Sequence, residues 1–94
     1  MYEQNMLTKY GNPSRDQKVI ENATGLTFKS YDSIICYYSQ SEKQLYLNGR
    51  MWDYSATTRK YFKDFVNFYT CFDYASKQKW EREIEKNNKI FYQN

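Results

Sequence analysis

The residues Ser55-Ala-Thr-Thr-Arg-Lys60 gather three hydroxyls and two cations at the start of a helical pattern, with no carboxylate before Asp64. Unbonded N–H groups at a helix start receive anions, and the macrodipole favours acids in the first turn. A basic first turn runs against that preference, which is what a position kept for another purpose looks like. Three readings follow. Ser55 is an ordinary N-cap and Thr57 and Thr58 are tolerated by packing. Alternatively, Thr57, Thr58, Arg59 and Lys60 receive an anion, or these cations meet a partner's acidic surface. If the cations serve binding alone, acids in place of Arg59 and Lys60 should leave the fold as stable, or more so by ~0.3–1 kcal/mol each.

Catalysis lacks its usual parts. The chain has no histidine, which removes Ser–His and Cys–His pairs, an imidazole base and the common zinc sites. Gly11, Gly25 and Gly49 are isolated, so no glycine-rich loop can cradle a phosphate. The acids stand singly and mostly fall beside lysines on helical faces. The expectation is a protein that is not an enzyme, with no catalytic or metal-binding residue and no cofactor. Its binding surface is expected instead at Tyr46, Trp52 and Tyr54, an aromatic patch ahead of the helix, joined by Arg50, Thr57, Thr58, Arg59, Lys60 and Lys63. Core packing under the helix is the competing reading of the aromatics. A second candidate surface is the basic face of Lys77, Lys79 and Arg82.

The elements that would position these residues follow from pattern. Residues 1–12 show no periodicity and are expected to lie loosely. Ser14-Arg-Asp-Gln17 fits a capping box, so residues 13–24 are expected to form a short helix stopped by Gly25. Leu26-Thr-Phe-Lys-Ser-Tyr31 alternates as a strand, and Ile34-Ile-Cys-Tyr-Tyr38 is β-branched and aromatic. Leu45 and Leu47 flank Tyr46, giving one aliphatic and one aromatic strand face. Asn48-Gly49 is the dipeptide of a type I′ hairpin, which would return Trp52 and Tyr54 on a further strand. Phe62, Phe65, Val66 and Tyr69 fall at i, i+3, i+4, i+7 on a helix over 55–70, with Tyr61 and Phe68 widening the stripe. Asp73 caps a last helix over 74–89. The expected fold is one α+β domain in the order α-β-β-β-(β)-α-α: a three- to four-stranded antiparallel meander over 26–54, with helices on one face. Its three helices cannot cover both faces, so an aromatic face is expected to stay exposed.

Composition sets the class. Ninety-four residues allow one core. Fourteen Lys and Arg against eleven Asp and Glu give +3. Residues 1–54 balance six cations with six acids, so the excess lies wholly in the eight cations and five acids of 55–94. Eleven tyrosines in so small a chain cannot all be core; Tyr and Trp are favoured at binding surfaces. Cys36 and Cys71, far apart and without a CxxC, read as buried free thiols of a reducing cytoplasm. No basic, apolar leader opens the chain and no apolar run approaches the ~20 residues that span a bilayer. A soluble, cytoplasmic protein is expected, without membrane contact.

The segments Ser30-Tyr-Asp-Ser-Ile-Ile, Leu45-Tyr-Leu and Trp52-Asp-Tyr-Ser-Ala-Thr-Thr-Arg-Lys, with Phe65, resemble a group of short uncharacterised proteins of bacteriophages and other bacterial mobile elements. The likeness covers roughly residues 28–66. The chain departs from the pattern in having Tyr61 where a histidine is expected, and its last helix matches nothing in the group. The resemblance implies a small accessory protein acting inside a bacterial host cell. Such proteins are often binders that disarm host defences, anti-CRISPR proteins among them. The partner it implies is a host protein complex. Nucleic acid is the alternative partner, held by the basic C-terminal helices and exposed aromatics, and a homodimer is a further expectation.

Overall fold

The computed structural model describes residues 2–8 and 10–93. Five strands come first: β1 (Tyr2–Leu7), β2 (Pro13–Glu21), β3 (Gly25–Ser30), β4 (Ser33–Ser39) and β5 (Gln44–Asn48). Two helices follow, α1 (Ala56–Tyr69) and α2 (Lys77–Lys86), and the chain returns as β6 (Ile90–Gln93). The sheet order is β1-β2-β3-β4-β5-β6. Neighbours are antiparallel up to β5, and β6 lies parallel to β5. Parallel strands need a long crossover, and here the helix pair is that crossover.

The expected order and strand number are therefore wrong at both ends of the sheet. Residues 13–24 do not form a helix. Gln17 and Val19 are buried, at 1% and 3% exposure, on either side of Lys18, a period of two that a helix cannot satisfy. β1 and β3 flank this segment, so its backbone groups bond on both sides; a two-turn helix would be marginal alone. Residues 2–7, expected to lie loosely, form the edge strand β1 with Met6 buried; positions 1 and 9 of that expected loose segment lie outside the described residues. Gly25 does not stop a helix. It opens β3, where an added Cβ would stand 2.1 Å from the Tyr38 carbonyl oxygen.

Asn48-Gly49 makes no type I′ hairpin, and Trp52 and Tyr54 lie on no strand. Instead the chain coils into consecutive turns, with the Met51 and Trp52 N–H groups donating to the Asn48 carbonyl at 3.1 and 3.2 Å. The place expected for the returning strand is taken by β6. Gly49 is needed for that closeness: an added Cβ would meet the Tyr92 ring at 2.4 Å.

Both helices pack on one face. Phe62, Phe65 and Val66 of α1 are wholly buried, and Phe65 stacks on Phe28 of β3 at 5.6 Å. Trp80 carries α2, set edge-on to Phe62 at 5.6 Å and flat against Tyr74 at 5.5 Å. Ser76, not Asp73, caps α2, accepting from the Lys79 N–H. Phe68, expected in the buried stripe, points to solvent at 78% exposure. Cys36 is buried, and burial pushes its thiol pKa up; Cys71, also free, is exposed rather than buried.

Candidate functional site

Register decides which side chains share the sheet's uncovered face. Leu26, Phe28, Cys36, Tyr38, Leu45 and Leu47 turn toward the helices and are buried. Their alternates point the other way. Thr27 pairs with Tyr37, Tyr37 with Tyr46, and Tyr46 with Phe91, one row across four strands. Tyr46 lies flat on Phe91 with centroids 5.0 Å apart and planes 14° from parallel. Tyr37 sits 6.1 Å from Tyr46, tilted by 33°. Polar atoms at the margin hold the rings: Tyr46 donates to Gln44 Oε1 at 3.0 Å, and the Tyr37 hydroxyl is 2.6 Å from that of Thr24. Beside the row, Ile34 is 59% exposed, and a groove of about 370 Å³ runs between Ile34, Tyr37, Tyr46, Asn48 and Gln93.

Charge on this face is balanced. By alternation it carries Glu3, Asp16, Lys18 and Lys29, and Lys18 stands 3.8 Å from Glu3. The face offers apolar rings and few charges. That suits burial against another polypeptide better than a phosphate backbone, which requires uncompensated cations.

The helix start has a different construction. Ser55 caps α1, its Oγ accepting from the Thr58 N–H at 3.1 Å. Thr58 is 1% exposed, and its hydroxyl lies 3.1 Å from Ser30 Oγ and 3.2 Å from Ser55 Oγ. Arg59 reaches back to Asp53 at 2.6 Å, and Lys77 of α2 binds the other oxygen of the same carboxylate at 2.9 Å. Burial alone would raise the Asp53 pKa, but hydrogen bonds from Arg59 and Lys77 outweigh it and hold the carboxyl below its usual range. Asp53 in turn raises the Arg59 pKa. Thr58, Arg59 and Lys77 thus join the sheet, the start of α1 and α2. The absence of acid from the first helical turn has a cause in the fold, since the acid stands just ahead of it at Asp53.

The residues expected to form one surface are thus divided among several places. Tyr46 is on the uncovered face, and Trp52 is core, 4% exposed and 5.7 Å from Phe62. Tyr54 (72% exposed) and Arg50 stand in the turns before α1. Thr57 and Lys60 line a shallow groove with Tyr10 and Tyr61, and the Lys60 ammonium lies 4.5 Å over the Tyr61 ring. Lys63 is exposed on α1. Lys79 and Arg82 lie apart from Lys77, lining with Lys86 a groove of about 500 Å³ that also holds Asp73 and Glu83. Sequence reasoning missed Tyr37 and Phe91. The signal for Tyr37 was its alternation with Cys36 and Tyr38; Phe91 had none until the return of β6 was known.

Among the described residues no group of three or more His, Cys, Asp or Glu side chains could hold a metal ion. Among the described residues no helix is long and apolar enough to cross a membrane. The Family of unknown function (DUF8033) matches residues 1–92, and the chain belongs to that family. No curated protein and no solved structure matches it.

Proposed function

We propose that this member of the DUF8033 family is a non-enzymatic binding protein that works by protein contact, and that the uncovered sheet face is the surface it presents. The observation that carries this reading is the row Tyr37–Tyr46–Phe91, which the chain's own helices do not cover, with Tyr37 half-buried and Tyr46 and Phe91 exposed. Rings already stacked lose little conformational freedom on binding and bury a large area, which is why aromatics anchor interfaces. The resemblance of residues 28–66 to short phage and mobile-element proteins supports a host defence complex, CRISPR–Cas among them, as the partner. The tagged chain, incubated with a bacterial host lysate, should retain a protein, and Tyr46→Glu should release it while the chain stays folded, at a cost of no more than about 1 kcal/mol. Retention of the same protein by both chains would move the interface off this face.

A second reading has its own support. Lys79, Arg82 and Lys86 line one groove, and Lys79 and Arg82 make none of the ion pairs seen among the described residues. This surface could hold a nucleic-acid backbone. Such binding must weaken steeply with salt, because each phosphate contact releases counterions. A mobility-shift series in which affinity holds from low to moderate salt removes this reading.

A further inference from the structure

We infer that β6 is a self-association edge, through which two copies of this chain pair their sheets antiparallel about a two-fold axis. The Leu45 N–H donates to the Lys89 carbonyl at 2.9 Å and the Gly49 N–H to the Gln93 carbonyl at 2.5 Å. A parallel ladder engages alternate residues, so Lys89, Phe91 and Gln93 bond toward β5 while Ile90 and Tyr92 turn their backbone outward. The Ile90 N–H is taken by the Asn87 carbonyl at 3.1 Å. The Ile90 carbonyl and both backbone groups of Tyr92 face away from the sheet.

Sheet edges are normally blunted by charge, proline or a bulge. The opposite edge has two of these devices: β1 carries Glu3 and shifts register between Asn5 and Leu7. β6, Ile-Phe-Tyr-Gln, has no charge, no proline and an unbroken register. A patch without charge can meet its own copy with no like-charge repulsion, as a two-fold interface requires.

The direction of the backbone groups also selects the register. With Phe91 bonded toward β5, the two copies meet at Phe91 as a non-hydrogen-bonded pair, the closer of the two kinds. Ile90 then faces Tyr92 of the second copy, whose N–H donates to the Ile90 carbonyl, and the same bond forms in reverse. The aromatic row continues through the junction, because Phe91 is its last member and 39% exposed.

This goes beyond the partner reading and does not depend on it, since the test needs only the purified chain. Sedimentation equilibrium over a concentration series should show a species of twice the 11.5 kDa chain mass. Tyr92→Pro removes an outward N–H and leaves the β5 ladder intact, as proline is tolerated where an edge strand's N–H faces solvent. It should raise the dimer dissociation constant tenfold or more with an unchanged circular dichroism spectrum. Phe91→Lys, which sets like charges against each other, should do the same and decides the matter if the proline variant is misfolded. A wild-type chain that stays monomeric at millimolar concentration, or a dimer unaffected by Phe91→Lys, overturns the inference and leaves the partner reading standing.

Discussion

On the helix side of the sheet Phe28 lies against Phe65 with centroids 5.6 Å apart and planes 19° from parallel; on the other side Tyr46 lies against Phe91 at 5.0 Å and 14°. The two stacks are nearly alike in geometry. Phe28 and Phe65 are wholly buried, whereas Tyr46 and Phe91 keep 38% and 39% of their surface in solvent. Aromatic stacking therefore does not mark a core. What separates the two pairs is whether a helix lies over them, and the chain has one helical layer for two sheet faces. The helix side spends its aromatics on stability and leaves the other side's available for contact.

Truncation measures this difference directly. Phe65→Ala should have the largest effect, about 3–5 kcal/mol, because a buried ring leaves both its transfer energy and a cavity behind. Chemical denaturation would read it. A loss under 1 kcal/mol would mean that α1 does not cover the sheet as described.

A smaller effect is expected at the link between sheet and helices. Asp53→Asn leaves Arg59 and Lys77 without their shared anion and should cost about 1 kcal/mol, the scale of partly exposed ion pairs. Its pH dependence has a definite sign. The folded carboxyl titrates below its ordinary value, so the contribution is complete above that ordinary value and fades as pH falls through the lower, folded one. Wild-type melting should therefore show an acid-side loss that Asp53→Asn lacks; parallel acid profiles would refute the clamp. The same geometry reverses the expectation for acids at the helix start. Arg59→Glu would set a second carboxylate against Asp53 and should destabilise, whatever the macrodipole favours.

Least should happen on the uncovered face. Tyr46→Ala removes a ring that is in solvent on one side and should cost less than about 1 kcal/mol, within the range of a cross-strand pair. A cost near that of Phe65→Ala would show the face to be covered in the folded chain, and the contrast between the two sides would collapse.

Much of the covered side was legible from sequence. The i, i+3, i+4, i+7 spacing of Phe62, Phe65, Val66 and Tyr69 specifies a helix with one apolar stripe, and α1 runs Ala56–Tyr69 behind a Ser55 cap. The alternation of Leu45 and Leu47 around Tyr46 fixes which side of β5 is buried. These features depend on neighbours along the chain, where periodicity and capping act. Tertiary structure decided the rest. Ser14-Arg-Asp-Gln17 has a local helix signature, yet bonding to strands on both sides makes it β2. Asn48-Gly49 has a hairpin signature, but β6 fills the place beside β5 and presses Tyr92 against Gly49. Arg59 and Lys77 read as candidate binding cations, and nothing in their spacing shows that Asp53 stands between them. The physical reason is common to all three. Local propensities differ by about a kilocalorie per residue, and pairing a strand on both sides or placing one carboxylate between two cations involves partners that sequence spacing does not identify.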